Sequence, residues 1–231
     1  MIEIKNVQVL GLNDSIIRSG YPMTNGEPPE IFVCQLIIKD IKRSKKLGQV
    51  PVGTGHDNFL KGVIVQFDLK YPQYFTPQLQ RYSWIDIISS QSKMHKLMSN
   101  KDLKNSFNSN VWIETIERLE KRIKDYNNSE STFDRQEIFY EVSNNLPMGY
   151  NLWMGISTNY LQLKTIYFQR KTHKLPEWKY FCDWIETLPM FKEIVLGDGV
   201  CMECEEDAKD EVEDISKKCM IKAYESEFNG Y

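Results

Sequence analysis

Between Lys61 and Lys70 the chain alternates, with Val63, Val65, Phe67 and Leu69 set against Ile64, Gln66, Asp68 and Lys70. A period of two puts one set of side chains on a buried face, so the pattern predicts a strand. Pro72 ends it by removing a ladder donor. A weaker alternation over Met1–Leu12 (Ile2, Ile4, Val7, Val9) predicts a second strand. Asn13-Asp14-Ser15 is placed to cap a short helical turn at Ile16–Ser19.

Helical periodicity appears elsewhere. Glu30–Lys46 carries Ile31, Cys34, Leu36, Ile37, Ile38 and Ile41 on one face, and Lys39, Lys42, Arg43, Lys45 and Lys46 on the other. In Val111–Tyr126, Trp112, Ile116, Leu119 and Ile123 recur at three- and four-residue spacing. There Glu114 precedes Arg118, and Glu117 precedes Lys121, by one turn. Ser131 stands three before Asp134 and predicts the cap of a helix running to about Asn145. Pro147-Met148-Gly149 breaks it, and Gly149–Ser157 is a short apolar run. Thr158–Thr172 reads as a helix through Leu161, Ile166 and Phe168. Glu177–Leu188 continues with Trp178, Phe181, Cys182 and Ile185 on one face, after a first-turn Pro176 and before Pro189.

Loops and polar runs supply the candidate chemistry. Pro77 sits where a helix can start, and Gln78-Leu79-Gln80-Arg81-Tyr82 follows. The run Ser89-Ser90-Gln91-Ser92-Lys93 comes next. Amides, hydroxyls and an Arg beside a buried strand suit an anionic, hydrogen-bonding ligand. The same residues also describe a polar helix surface and a serine-rich turn. Gly48–Gly55 is a glycine-rich loop without P-loop or dinucleotide-fold spacing. The lysines of Glu30–Lys46 read as a solvated face.

Composition narrows the classes. Hydrophobic residues make up 41% and charged residues 26% of 231, the profile of an ordinary globular chain. A net charge of −3 argues against broad nucleic-acid binding, which needs a basic footprint. No apolar run reaches the ~20 residues of a membrane span. Five cysteines without an export signal imply reduced thiols and a cytoplasmic setting. From Gly197 the composition shifts, which sets a main domain at 1–198 apart from a tail at 199–231. Glu203–Asp214 holds eight acids in twelve residues. Cys201-x-x-Cys204 is half of a zinc site with no second pair to complete it, so no metal is expected. His56, His95 and His173 form no triad by spacing, and no G-x-S-x-G is present.

Two stretches together resemble the flavin-dependent thymidylate synthases. That family carries F-x-F, then A-P, then Q-x-x-R-H-R, then a serine. Here the run reads Gln66-Phe67-Asp68-Leu69-Lys70-Tyr71-Pro72, then Gln78-Leu79-Gln80-Arg81-Tyr82-Ser83, then Ser92. Later the family has L-P, N-x-R and an Arg eleven residues after that Asn; Leu146-Pro147, Asn159 and Arg170 match, and Trp178 follows. The resemblance covers roughly residues 1–188. It implies an α/β (α+β) fold, with an antiparallel-rich sheet flanked by long helices. It implies a homotetramer, a deoxyuridylate-type pyrimidine nucleotide as substrate, and FAD and a folate as cofactors. In the family the flavin delivers hydride while the folate donates one carbon to the pyrimidine C5. By the same resemblance Gln78, Ser90, Ser92 and Arg170 would hold the nucleotide, with Ser92 and Arg170 at the reaction centre. Arg81 and Asn159 would hold the flavin.

The chain departs from the family at several of these positions. The basic pair after Arg81 is Tyr82-Ser83. Glu-His before the strand is Lys61-Gly62. The Arg four before Pro147 is Ser143, and the N-x-R arginine is Leu161. Lys61, Lys93, Lys164 and Lys171 are the cations available to replace the lost charge. These departures define the rival expectation: a non-redox protein that kept the nucleotide pocket and senses or sequesters its ligand.

Overall fold

The computed structural model describes residues 2–28 and 36–197. The chain clusters into two compact units, and the strands contribute residues to both. Four strands, β1 (Glu3–Leu10), β2 (Ile64–Pro72), β3 (Asp86–Ser90) and β4 (Asn151–Asn159), form one antiparallel sheet in the order β1-β2-β4-β3. In β2 the alternation does what it predicts. Val63, just before the strand, and Val65, Phe67, Leu69 and Tyr71 within it are buried, while Ile64, Gln66, Asp68 and Lys70 stay half-exposed. Two corrections concern the other strands. Asp86–Ser90 is a strand rather than part of a serine-rich turn. The apolar run after Gly149 is β4, which extends through Asn159, so the following helix starts at Tyr160 rather than Thr158.

The first unit comprises Met1–Lys5, Asp68–Ser83 and Ile87–Ile156. Its helices are α3 (Thr76–Leu79), α4 (Lys93–Lys96), α5 (Ile113–Asn128) and α6 (Thr132–Asn144). Ile116, Leu119 and Ile123 of α5 pack with Ile138 and Val142 of α6, and with Leu97, Leu103, Phe107 and Tyr150. Ser131 caps α6 through the Asp134 amide at 3.2 Å, as its spacing predicts. Trp112 corrects the helical reading: it is the N-cap of α5 and 79% exposed, because the first turn extends past the core. Arg122 ties the two helices together through Glu141 at 2.6 Å.

The second unit comprises Asn6–Phe67, Trp84–Asp86 and the chain from Ser157. It holds α1 (Leu12–Arg18), α2 (Ile38–Gly48), α7 (Tyr160–Arg170), α8 (Pro176–Ile185) and a π-helical turn at Lys192–Leu196. Helix α1 starts earlier than its polar residues suggest. Gly11 is its N-cap at φ 72°, and no side-chain cap is made. The reason is close approach: a Cβ on Gly11 would lie 2.8 Å from the Gly62 carbonyl oxygen. Of the helix expected over Glu30–Lys46, Leu36 and Ile37 are not helical; Ile37 is the extended N-cap and α2 runs Ile38–Gly48, while residues 29–35 lie outside the described residues. Trp178, Phe181 and Ile185 of α8 are buried, as their spacing predicts, and Phe67 packs against Phe181 and Trp184.

One polar contact lies deep in this unit. Lys164 Nζ donates to Asp57 Oδ2 at 2.5 Å and to the Val50 carbonyl at 2.6 Å, with the two side chains only 1% and 2% exposed. The glycine-rich loop after α2 is therefore pinned to α7 by a desolvated ion pair. Lys164, counted among the cations available to a ligand, is committed to this structural role. Among the described residues no helix is long and apolar enough to cross a membrane, and no group of three or more metal-ligating side chains forms. The Cys201-x-x-Cys204 pair and the acidic run lie outside the described residues.

Lys164→Met leaves a buried carboxylate unpaired and is expected to lower unfolding free energy by about 3–5 kcal/mol. The double variant Lys164→Met/Asp57→Leu is expected to regain most of that loss. Urea denaturation of both proteins checks this; a single variant within about 1 kcal/mol of the parent would contradict the assignment.

Candidate functional site

The first unit carries four of the six residues singled out by sequence. Pro72 ends β2, a 3-10 turn at Gln73–Phe75 follows, and α3 starts with Pro77 in its first turn. This places Gln78 half-buried and Arg81 exposed. Ser90 is the last residue of β3 and is exposed. The ladder with β4 continues one residue further, since Gln91 N donates to the Trp153 carbonyl at 2.9 Å and Gln91 Oε1 accepts from Trp153 N at 3.2 Å. Ser92 is therefore the first residue beyond the ladder, half-buried at the start of α4.

Three residues that sequence reasoning did not assign to the site, Lys93, Gln73 and Asn151, belong to the same unit. Lys93 Nζ donates to Gln73 Oε1 at 2.8 Å and so joins the start of α4 to the turn after β2. That bond fixes the orientation of the Gln73 amide. Its Nε2 is left buried with no partner among the described residues, and Asn151 Oδ1 is in the same condition. Buried polar atoms are nearly always paired, so an orphan donor and an orphan acceptor in one unit point to a missing hydrogen-bonding group. Lys93 was visible in the polar run as a cation. The orphaned atoms were not, because pairing is a property of the fold.

The second unit carries Asn159 and Arg170. Asn159 is buried at the N-cap of α7, and its Oδ1 accepts from Gln162 N at 2.9 Å. Leu161 takes the place of an arginine two residues on. Arg170 ends the same helix, its guanidinium carbon 4.9 Å from the Trp178 ring centre. Eleven helical residues span about 16 Å, so Asn159 and Arg170 stand at opposite ends of α7. Lys171 lies over the Tyr167 and Phe168 rings at 5.5 and 5.4 Å.

Nucleophilic chemistry finds no support nearby. Burial, then Asp183 and Glu186, push the Cys182 thiol up to about 12, which keeps it protonated and inert. His173 Nδ1 accepts from the Leu175 amide at 3.1 Å, a local loop contact. Two family departures have a physical basis. Tyr82 is buried, so its position serves the core rather than an anion. A side chain at Gly62 would put its Cβ 2.4 Å from Ser15 Oγ, so no histidine fits there unless the buried Ser15 hydroxyl moves.

No family model matches the chain, and no curated protein matches it. Solved structures do. One is the flavin-dependent thymidylate synthase ThyX from Helicobacter pylori complexed with FAD and dUMP, at 16% identity and a TM-score of 0.57, covering 85% of this chain and 98% of that one. Another structure of the Helicobacter pylori ThyX, with FAD and dUMP, matches at 17% identity and a TM-score of 0.57, covering 85% and 97%. At these identities the likeness is one of architecture, and it settles the fold class: a mixed helix and antiparallel-sheet protein folded like the flavin-dependent thymidylate synthases.

Proposed function

We propose that this chain binds a pyrimidine deoxynucleotide of the dUMP class in its first unit. The observation that carries the reading is that this unit holds two orphaned buried atoms, Gln73 Nε2, on the amide that Lys93 holds at 2.8 Å, and Asn151 Oδ1. A uracil ring offers a donor at N3 and carbonyl acceptors on either side, the complement of that pair. Lys93 and Arg81 supply the cations for a 5′-phosphate. Gln78, Ser90 and Ser92 supply hydroxyl and amide groups. The ThyX structures that share the fold hold dUMP, which supports the same ligand class.

The donor set does not fit FAD. Arg81 stands alone where the family has three basic groups, with Tyr82 buried and Ser83 neutral. Asn159 Oδ1 is engaged as a helix cap. Missing charge-assisted contacts, at about 1.5–3 kcal/mol each, remove the affinity that a pyrophosphate needs. Of the two finer readings, the non-redox binder is therefore preferred over a flavin- and folate-dependent methylase. Homo-oligomerisation belongs to the same proposal. Trp84, Ile88, Met94 and Phe133 are large exposed apolar side chains that a second copy would cover.

dUMP at a hundredfold excess over its dissociation constant is expected to stabilise the protein by about 2.7 kcal/mol, read as a rise in melting temperature. No rise at millimolar dUMP would contradict the proposal. Lys93→Ala is expected to weaken dUMP binding by about tenfold or more in calorimetry, the loss of one charge-assisted contact. Unchanged affinity would remove Lys93 from the site. Addition of FAD is expected to leave the protein without bound flavin after gel filtration; co-eluting yellow protein would restore the enzymatic reading.

A further inference from the structure

Two features remain unexplained by a nucleotide site: the lysine face of α2 and the acidic run near the C-terminus. Lys39, Lys42 and Lys46 are exposed along one face of α2, with Lys45 half-buried beside them. None of the four side chains makes a hydrogen bond or ion pair among the described residues. The one acid on the helix, Asp40, is committed to Arg43 at 2.6 Å. Like charges one turn apart repel, so the face favours an anionic cover.

The chain supplies such a cover. Residues 198–231 hold eleven acids and four lysines, a net charge of −7. That leaves +4 on residues 1–197, given −3 for the whole. The path also leads there. The π-helical turn Lys192–Leu196 sits against the end of α2: a Cβ on Gly48 would meet the Ile194 carbonyl oxygen at 2.5 Å, and Gln49 Nε2 donates to the Glu193 carbonyl at 3.4 Å. A Cβ on Gly197, the last described residue, would lie 3.2 Å from Gln49 Oε1. The first acid of the run, Glu203, is six residues further on, a reach of up to about 20 Å. Helix α2 is about 16 Å long, so every lysine on it lies within that reach.

We propose that the acidic segment Glu203–Asp214 docks in cis along the lysine face of α2. Tethering at Gly197 raises the local concentration of the segment, which lets individually weak exposed pairs act together. The docked segment neutralises the face, so any external polyanion must displace it to reach α2.

Zero-length carbodiimide cross-linking of the full chain, read by mass spectrometry on nitrogen-15-labelled and unlabelled protein unfolded together and refolded so that any oligomer contains both, tests this. Links from Glu203–Asp214 to Lys39, Lys42, Lys45 and Lys46 are expected to exceed those to exposed Lys101, Lys104 and Lys121 by about tenfold, the effect of tethering. They are expected within single-isotope species, and to vanish in molar salt, where screening acts within about 3 Å. The full-chain variant K39E/K42E/K46E, which alters only solvent-facing positions, is expected to lose the links at Lys45. Mixed-isotope links would assign the contact to a second copy and overturn the proposal. So would links spread evenly over exposed lysines, no links, or Lys45 links unchanged in the variant.

Discussion

The one-sided burial of β2 governs the arrangement. Val63, Val65, Phe67, Leu69 and Tyr71 are all at most 3% exposed. Because side chains alternate with a period of two, a slip of one residue would move this whole set to the other face and bring Gln66, Asp68 and Lys70 inward. Register is thereby fixed without any specific polar contact. It also determines where the strand stops and where Gln73 emerges, at the turn that carries the orphaned amide. Neighbouring β4 obeys the same rule, with Met154, Ile156 and Thr158 buried and Gly155 between them facing the half-exposed side.

A second constraint works by close approach and desolvation. Gly11 and Gly62 let α1 reach the turn before β2, and Lys164 binds the loop after α2 to α7 through Asp57. Polar positions that the sequence singled out serve internal packing: Tyr82 in the core, Lys164 in an ion pair, Asn159 as a helix cap. Fold and chemistry are separable in this way because a fold depends on apolar pattern and a site on a few charged groups.

Much of the fold was legible in the sequence, for identifiable reasons. The β2 alternation, the Ser131 cap, the α5 heptad-like spacing and the first-turn Pro176 are local signals, and each gave the right element. Failures fell where tertiary contact overrides local preference. Ser89 and Ser90 have weak strand propensity, yet β3 forms because β4 offers it a ladder. Trp112 has helical spacing but lies one turn beyond the core. The Asp57–Lys164 pair carries no local signal, because the partners lie 107 positions apart. The site was half legible. Residue types at 78, 81, 90 and 92 raised the expectation of hydrogen bonding to an anion, whereas the unsatisfied state of Gln73 and Asn151 appears only once the described neighbours are placed.

The most direct test of the central claim is the side-chain amide resonance of Gln73 in nitrogen-15-labelled protein during titration with dUMP. A nucleotide that completes the orphan donor is expected to shift that resonance and to slow its hydrogen exchange at saturation. A Gln73 amide that keeps its shift and exchange rate while dUMP binds elsewhere, or does not bind, would contradict the account.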